Sequence, residues 1–219
     1  MLNYQLIASN ISPLPINSTV QQAIHQMEMQ EVQQLPVINN GLFVGTVHED
    51  VLLNANESDL LSSLQIDFLP FCVEGDEHFL TAARLLATRH MVIAPVVNAD
   101  KEYIGCILQQ DLLARLTHLT GAAEAGALVV LETPPAQFSI SEIARLVETN
   151  DAQIMQLNTS ISEVNGSMQI TLRINKAEVS DVVATFQRYD YRVLHYAGEE
   201  QFENELRRNY QHLMNFLEM

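Results

Sequence analysis

The chain has 219 residues, 47% of them hydrophobic, with a net charge of −16 and a pI near 4.6. That length and apolar content suit two domains of ordinary size. The acidic field repels nucleic-acid phosphates and anionic membrane surfaces. No Lys or Arg precedes Arg84, and no apolar run approaches the roughly 20 residues of a membrane span. The opening MLNYQLIASN lacks the basic start and apolar core of a signal peptide. These features lead us to expect a cytoplasmic protein with neither nucleic-acid nor membrane partners.

In chain order, Val20, Ala23, Ile24 and Met27 form a helical stripe, and Ser18 with Gln21 reads as a capping box before it. A strand follows at Leu35–Ile38, with Pro36 at its start, where proline is tolerated. The turn Asn39-Asn40-Gly41 accepts positive φ. A second strand, Phe43–Val47, runs to Asp50 and the helical VLL. Adding 59 to the first stripe gives Phe79, Ala82, Ala83 and Leu86, the same pattern again. The same offset takes Pro36 to Pro95 and Val37 to Val96, while Gly45 pairs with Gly105 at offset 60 and Asp50 with Asp111 at 61. The chain therefore repeats a unit of helix, strand, turn, strand, helix.

The A-x-x-x-M stripe, the strands LPVI and APVV and the ending GCILQQD together resemble the CBS domain family, usually found as a tandem pair called a Bateman module. The resemblance spans residues 5–118. It implies two copies packed sheet to sheet, with a cleft between them that often binds adenine nucleotides or related adenosyl ligands. Nucleotide-binding members commonly end the unit with G-h-h-[ST]-x-x-D, whose hydroxyl and carboxylate grip the ribose. Here Asp111 holds the acidic position but Leu108 stands in place of Ser or Thr. In the first copy His48 takes the hydroxyl position and Asp50 comes one residue early. The resemblance assigns ligand contact to Val92, Ile93, Ala94, Pro95 and Asp111, with Arg89, His48 and Asp50 beside them. AMP, ADP, ATP or S-adenosylmethionine is the ligand it implies.

Each residue also has a plainer reading. Asp111 suits the N-cap of the helix LLARL. Arg84, Arg89, His90 and Arg115 suit surface charge balance as well as a phosphate clamp. His48, at a strand end, suits a structural hydrogen bond. The seven histidines contain no HxxxH or HxH pair, so no metal is expected. Cys72 and Cys106 lie in apolar runs and read as buried free thiols, with a disulfide the alternative.

After the small-residue stretch LTGAAEAGA at 119–127, the pattern changes. ALVVLETP reads as a buried strand. Ser139 and Glu142 read as a capping box before a helix striped by Ile140, Ile143, Ala144 and Val147. Asn165-Gly166 is the favoured type I′ pair, and Met168, Ile170, Leu172 and Ile174 then alternate with polar residues. A helix striped by Val179, Val182, Val183 and Phe186 and the strand RVLHYAG complete the order βαββαβ, the ferredoxin-like arrangement. In this position it resembles an ACT domain, a module that often binds amino acids or associates through its sheet edges. The loop TPPAQFS, with Ala136, lacks the glycine usual at an ACT ligand site, which favours an oligomerising use. Phe202, Leu206, Tyr210, Leu213 and Leu217 mark one face of a last helix. It either docks on its own chain or pairs with a partner.

The fold expected is α+β: CBS repeats at 1–60 and 61–118, a linker at 119–127, an ACT-like domain at 128–198 and a C-terminal helix at 199–219. No GxSxG, P-loop, GxGxxG or Cys–His signature occurs, so no catalytic residues are assigned. The expected function is a homodimeric, non-catalytic regulator that senses a small metabolite in the cleft of the repeats. The domain order resembles accessory proteins found with acetoin-utilisation functions. The alternatives are a ligand-free interaction scaffold and a regulatory subunit of an enzyme or transporter.

Overall fold

The computed structural model describes residues 1–198, and the C-terminal helix expected at 199–219 lies outside them. The chain divides into two compact units, one ending at Leu116 and one beginning at Thr117. The architecture is α+β. Among the described residues no helix is long and apolar enough to cross a membrane.

The first unit holds the repeat. Its first copy consists of β1 (Leu14–Pro15), α1 (Val20–Gln30), β2 (Gln34–Asn39), β3 (Leu42–His48) and α2 (Glu49–Leu53). The second consists of β4 (Val73–Glu74), α3 (Leu80–Arg89), β5 (Ile93–Val97), β6 (Tyr103–Leu108) and α4 (Gln109–Leu119). Each copy forms a three-stranded sheet: β1 runs parallel to β2 and β2 antiparallel to β3, and the second copy follows suit. The stripe residues Val20, Ala23 and Met27 are buried, as are Phe79, Ala82 and Leu86. Asn40 and Gly41 both have positive φ, 51° and 85°, as a type I′ turn requires. The cap of α1 is one residue later than expected. Thr19 accepts from Gln22 N, while Gln22 Oε1 accepts from Thr19 N at 2.9 Å. Ser18 instead uses its backbone, accepting from Leu61 N.

The two copies are interlocked. Ile93, Cys106 and Leu108 of the second copy are buried together with Leu35, Val37 and Val47 of the first, so the sheets share one core. The segment entering each copy crosses to the other. Thr46 of β3 exchanges two backbone hydrogen bonds of 2.9 Å with Leu69, and Ala8 N donates to Cys106 O of β6 at 2.8 Å. A third link joins Phe43 N to Lys101 O and Tyr103 N to Gly41 O. This crossing explains the repeated proline. Pro36 lies inside β2, the middle strand, and not at its start. Its partner in register, Thr46, has both backbone groups turned to Leu69, so the missing proline N–H leaves no acceptor unmet there.

In the second unit β7 (Ala127–Thr133), α5 (Ile140–Glu148), β8 (Ile154–Ile161), β9 (Met168–Ile174), α6 (Ser180–Arg188) and β10 (Arg192–Ala197) form the predicted βαββαβ order. The strands run antiparallel in the order β10-β7-β9-β8, the ferredoxin-like topology. Ile170, Leu172 and Ile174 are buried with Ile143, Val147, Val182 and Phe186. Three local expectations change. Ile140 is exposed, and Leu146 takes a place in the buried stripe. Ser139 Oγ accepts from Glu142 N, but the Glu142 carboxylate is engaged elsewhere, accepting from Tyr191 Oη at 3.0 Å. The β8–β9 turn is not type I′: Gly166 alone of the pair has positive φ, and Gly166 N reaches back to Ser162 O. Asn165 instead donates to Glu132 at 2.9 Å, a buried carboxylate that also accepts from Ser167 and Arg192.

Candidate functional site

The site begins where β2 and β5 start side by side. Gln34 is buried, and its Oε1 accepts from Val92 N at 2.9 Å, tying the two copies together. The residue before each strand closes the turn from strand to helix. Gln33 O accepts from Glu49 N at 2.9 Å, and Val92 O from Gln109 N at 3.0 Å. The helix leading into each strand ends in a left-handed residue, Glu31 (φ 54°) after α1 and His90 (φ 53°) after α3. Gln30 also holds the entering segment, its Oε1 accepting from Ser12 N at 3.0 Å. At the equivalent place in the second copy, the Arg89 guanidinium stands 4.1 Å from the centre of the Phe71 ring.

These elements enclose a cleft of about 720 Å³. Asn10 and Ile11 of the entering segment form one wall, and the run Gln30 to Gln33 forms another. Val92 and Ile93 line it at the start of β5, as do Leu108, Gln109, Gln110 and Leu113 at the β6–α4 junction. Its chemistry is apolar surface interrupted by amides: Asn10, Gln30, Gln33, Gln109 and Gln110. Such a lining offers flat contact to an aromatic base, with donors and acceptors for hydroxyls and ring nitrogens. Among the described residues Glu31 is the one ionisable residue of the lining.

Of the sequence-predicted residues some line or adjoin this cleft, and the rest lie at counterpart positions in the other copy. Val92 and Ile93 line the cleft. Ala94 and Pro95 follow inside β5 and are buried, Ala94 in the core of its own copy. Asp111 comes directly after Gln110, half-buried in the first turn of α4. It is not the N-cap of that helix, which begins two residues earlier. Arg89 and His48 lie at the counterpart positions that repeat Gln30 and Leu108. Asp50, second in α2, corresponds in the structure to Gln110, second in α4, and not to Asp111, with which the sequence repeat pairs it. His48 caps α2, its Nδ1 accepting from Asp50 N at 3.1 Å, and the Asp50 side chain is 83% exposed. The entering segment and the glutamines were missed. Amides carry no spacing signature, although Gln109 and Gln110 stand in the repeated GCILQQD.

Elsewhere, burial pushes the Cys106 thiol up to about 11, despite the opposing effect of the neighbouring Tyr103 hydroxyl. Burial likewise raises the half-buried Cys72. Neither is a ready nucleophile. Among the described residues no three His, Cys, Asp or Glu side chains gather as a metal site.

The CBS domain model matches residues 5–58 and 69–118. A CBS domain pair/ACT domain protein from Thermotoga maritima shares 19% identity over 54% of this chain and 98% of its own, with a TM-score of 0.51. The CBS domains of a transcriptional regulator from Streptococcus pneumoniae share 16% identity over 52% and 98%, with a TM-score of 0.48. CBSX2 in complex with AMP shares 21% over 54% and 97%, with a TM-score of 0.47. No curated protein matches the sequence at a significant level. Residues 5–58 and 69–118 each match the CBS domain model, so this part of the chain carries a tandem pair of CBS domains.

Proposed function

We propose that the protein is a non-catalytic regulator whose CBS pair binds an adenosyl ligand in the cleft between its copies. The observation that carries this reading is the cleft itself, with its apolar, amide-rich lining at the junction of β5, β6 and α4. Val92 and Ile93 contact the base, and Asp111 stands next in line for the ribose, where a carboxylate accepts from two hydroxyls. Arg89, His48 and Asp50 serve the counterpart position. The ferredoxin-like unit is an ACT-type domain used for homodimerisation. The setting is metabolic regulation, in keeping with the resemblance to acetoin-utilisation accessory proteins.

A second reading, a scaffold without a ligand, draws on Leu108, buried where nucleotide-binding relatives place a hydroxyl. Thermal unfolding against AMP, ADP, ATP, NADH, S-adenosylmethionine and the common amino acids separates the two. A ligand at about 100 times its Kd stabilises by roughly 2.7 kcal/mol, a shift easily seen. Stabilisation by an adenosyl compound supports the sensor. A flat response to the whole panel favours the scaffold, and a response to an amino acid alone moves the site to the second unit.

A further inference from the structure

Resting on the adenosyl reading just given, we infer that the cleft selects an adenosyl compound without phosphate, neutral or cationic at its 5′ substituent, and that Gln30 and Glu31 set this selectivity. Phosphate recognition calls for Arg, Lys or His⁺ close by, or for helix N–H groups free to donate. Among the described residues the lining contains no cationic side chain, and its single charge is the Glu31 carboxylate. Gln30 and Glu31 also sit at the C-terminal end of α1, the negative end of its dipole. On the opposite wall, at the start of α4, one of the first-turn N–H groups, Gln109 N, is bonded to Val92 O, and Asp111 sets a negative charge against the positive end of that helix. A net charge of −16 reinforces the same sign.

The repeat supplies an internal control. Arg89 and His90 occupy the positions of Gln30 and Glu31, at the same helix end and with the same left-handed residue, φ 53° against 54°. One backbone geometry thus carries Gln-Glu in one copy and Arg-His in the other. The cleft bordered by Gln30–Glu31 suits a phosphate-free ligand, and phosphate-tolerant chemistry is confined to the counterpart. Because His90 already adopts the left-handed conformation, Glu31→His is matched to its backbone.

The test is calorimetric titration of the full chain with adenosine, S-adenosylmethionine, AMP and ATP at one ionic strength. The wild type is expected to bind adenosine or S-adenosylmethionine at least about tenfold more tightly than AMP, a difference of about 1.4 kcal/mol. The double variant Gln30→Arg/Glu31→His, which copies the second repeat, is expected to narrow that gap to about threefold or less. AMP binding that disappears in Arg89→Ala/His90→Ala lies at the counterpart and supports the division of charge. AMP or ATP binding as tightly as adenosine, and surviving Arg89→Ala/His90→Ala, overturns the inference while leaving an adenosyl cleft in place. Failure of all four compounds to bind at millimolar concentration overturns the inference together with the reading beneath it.

Discussion

Gly45 lies directly beneath Phe68: a Cβ on Gly45 would stand 2.7 Å from the Phe68 Cβ. Gly45 belongs to β3 of the first repeat and Phe68 to the segment entering the second. Gly105 repeats the arrangement, lying beneath Ile7 of the segment entering the first repeat. The glycine of the repeated sentence is therefore the point where each copy is crossed by the other. Gly45→Ala is expected to cost about 1–3 kcal/mol through overpacking. Gly105→Ala should cost more, since its φ of 148° also disfavours a side chain. Urea unfolding measures both, and a Gly45→Ala protein as stable as wild type would remove the crossing from the account.

The cap of α1 offers a test between neighbouring hydroxyls. Thr19→Ala removes the acceptor for Gln22 N and should destabilise by about 1 kcal/mol. Ser18→Ala should stay within about 0.5 kcal/mol of wild type, because the hydrogen bonds of Ser18 run through its backbone. Equal losses in the two variants would contradict the cap placement.

Glu132 ties acid stability to the second unit. Hydrogen bonds from Asn165 and Ser167, with Arg192 beside them, hold its carboxyl below the usual range. A folded-state pKa below the unfolded value gives stability that is present above about pH 4.3 and is lost as pH falls through the folded pKa. Urea midpoints of wild type should therefore drop on going from pH 6 to pH 3.5, and Glu132→Gln should flatten its share of that drop. An unchanged acid profile in Glu132→Gln counts against this assignment.

The thiols differ in access. Cys106 is buried, and burial pushes its thiol up to about 11, whereas Cys72 is half-buried, with a thiol that burial also raises. A thiol reagent at pH 8 should label Cys72 slowly and Cys106 only on unfolding. Labelling of Cys106 in the native protein at the rate of Cys72 would show that the shared core opens.

What the sequence makes legible here is whatever is periodic or repeated. The stripes from Val20 to Met27 and from Val179 to Phe186 declare their helices, and the 59-residue offset declares the pair. Pairings between short, aperiodic segments leave no such trace. Nothing in the run around Ala8 or Leu69 announces that each binds the sheet of the other copy, so from sequence alone a proline inside a central strand looks like one at its start. Single-residue ambiguities account for other differences: Ser18 and Thr19 are both good caps, and Asn165 next to Gly166 mimics a two-residue turn while its side chain is directed to Glu132. In the cleft, Val92 and Ile93 are the lining residues that the family resemblance also names. The amides are not legible, because a glutamine bordering a cleft has the same local sequence as any other exposed glutamine.

The most direct test of the central claim is methyl NMR of the full chain titrated with S-adenosylmethionine, adenosine and AMP. The account predicts that at least one of them shifts the methyl signals of Ile11, Val32, Val92 and Ile93, while Ile143 and Val183 of the second unit stay in place. Signals that stay unmoved with all three at saturating concentration, or shifts confined to residues 127–198, would contradict it.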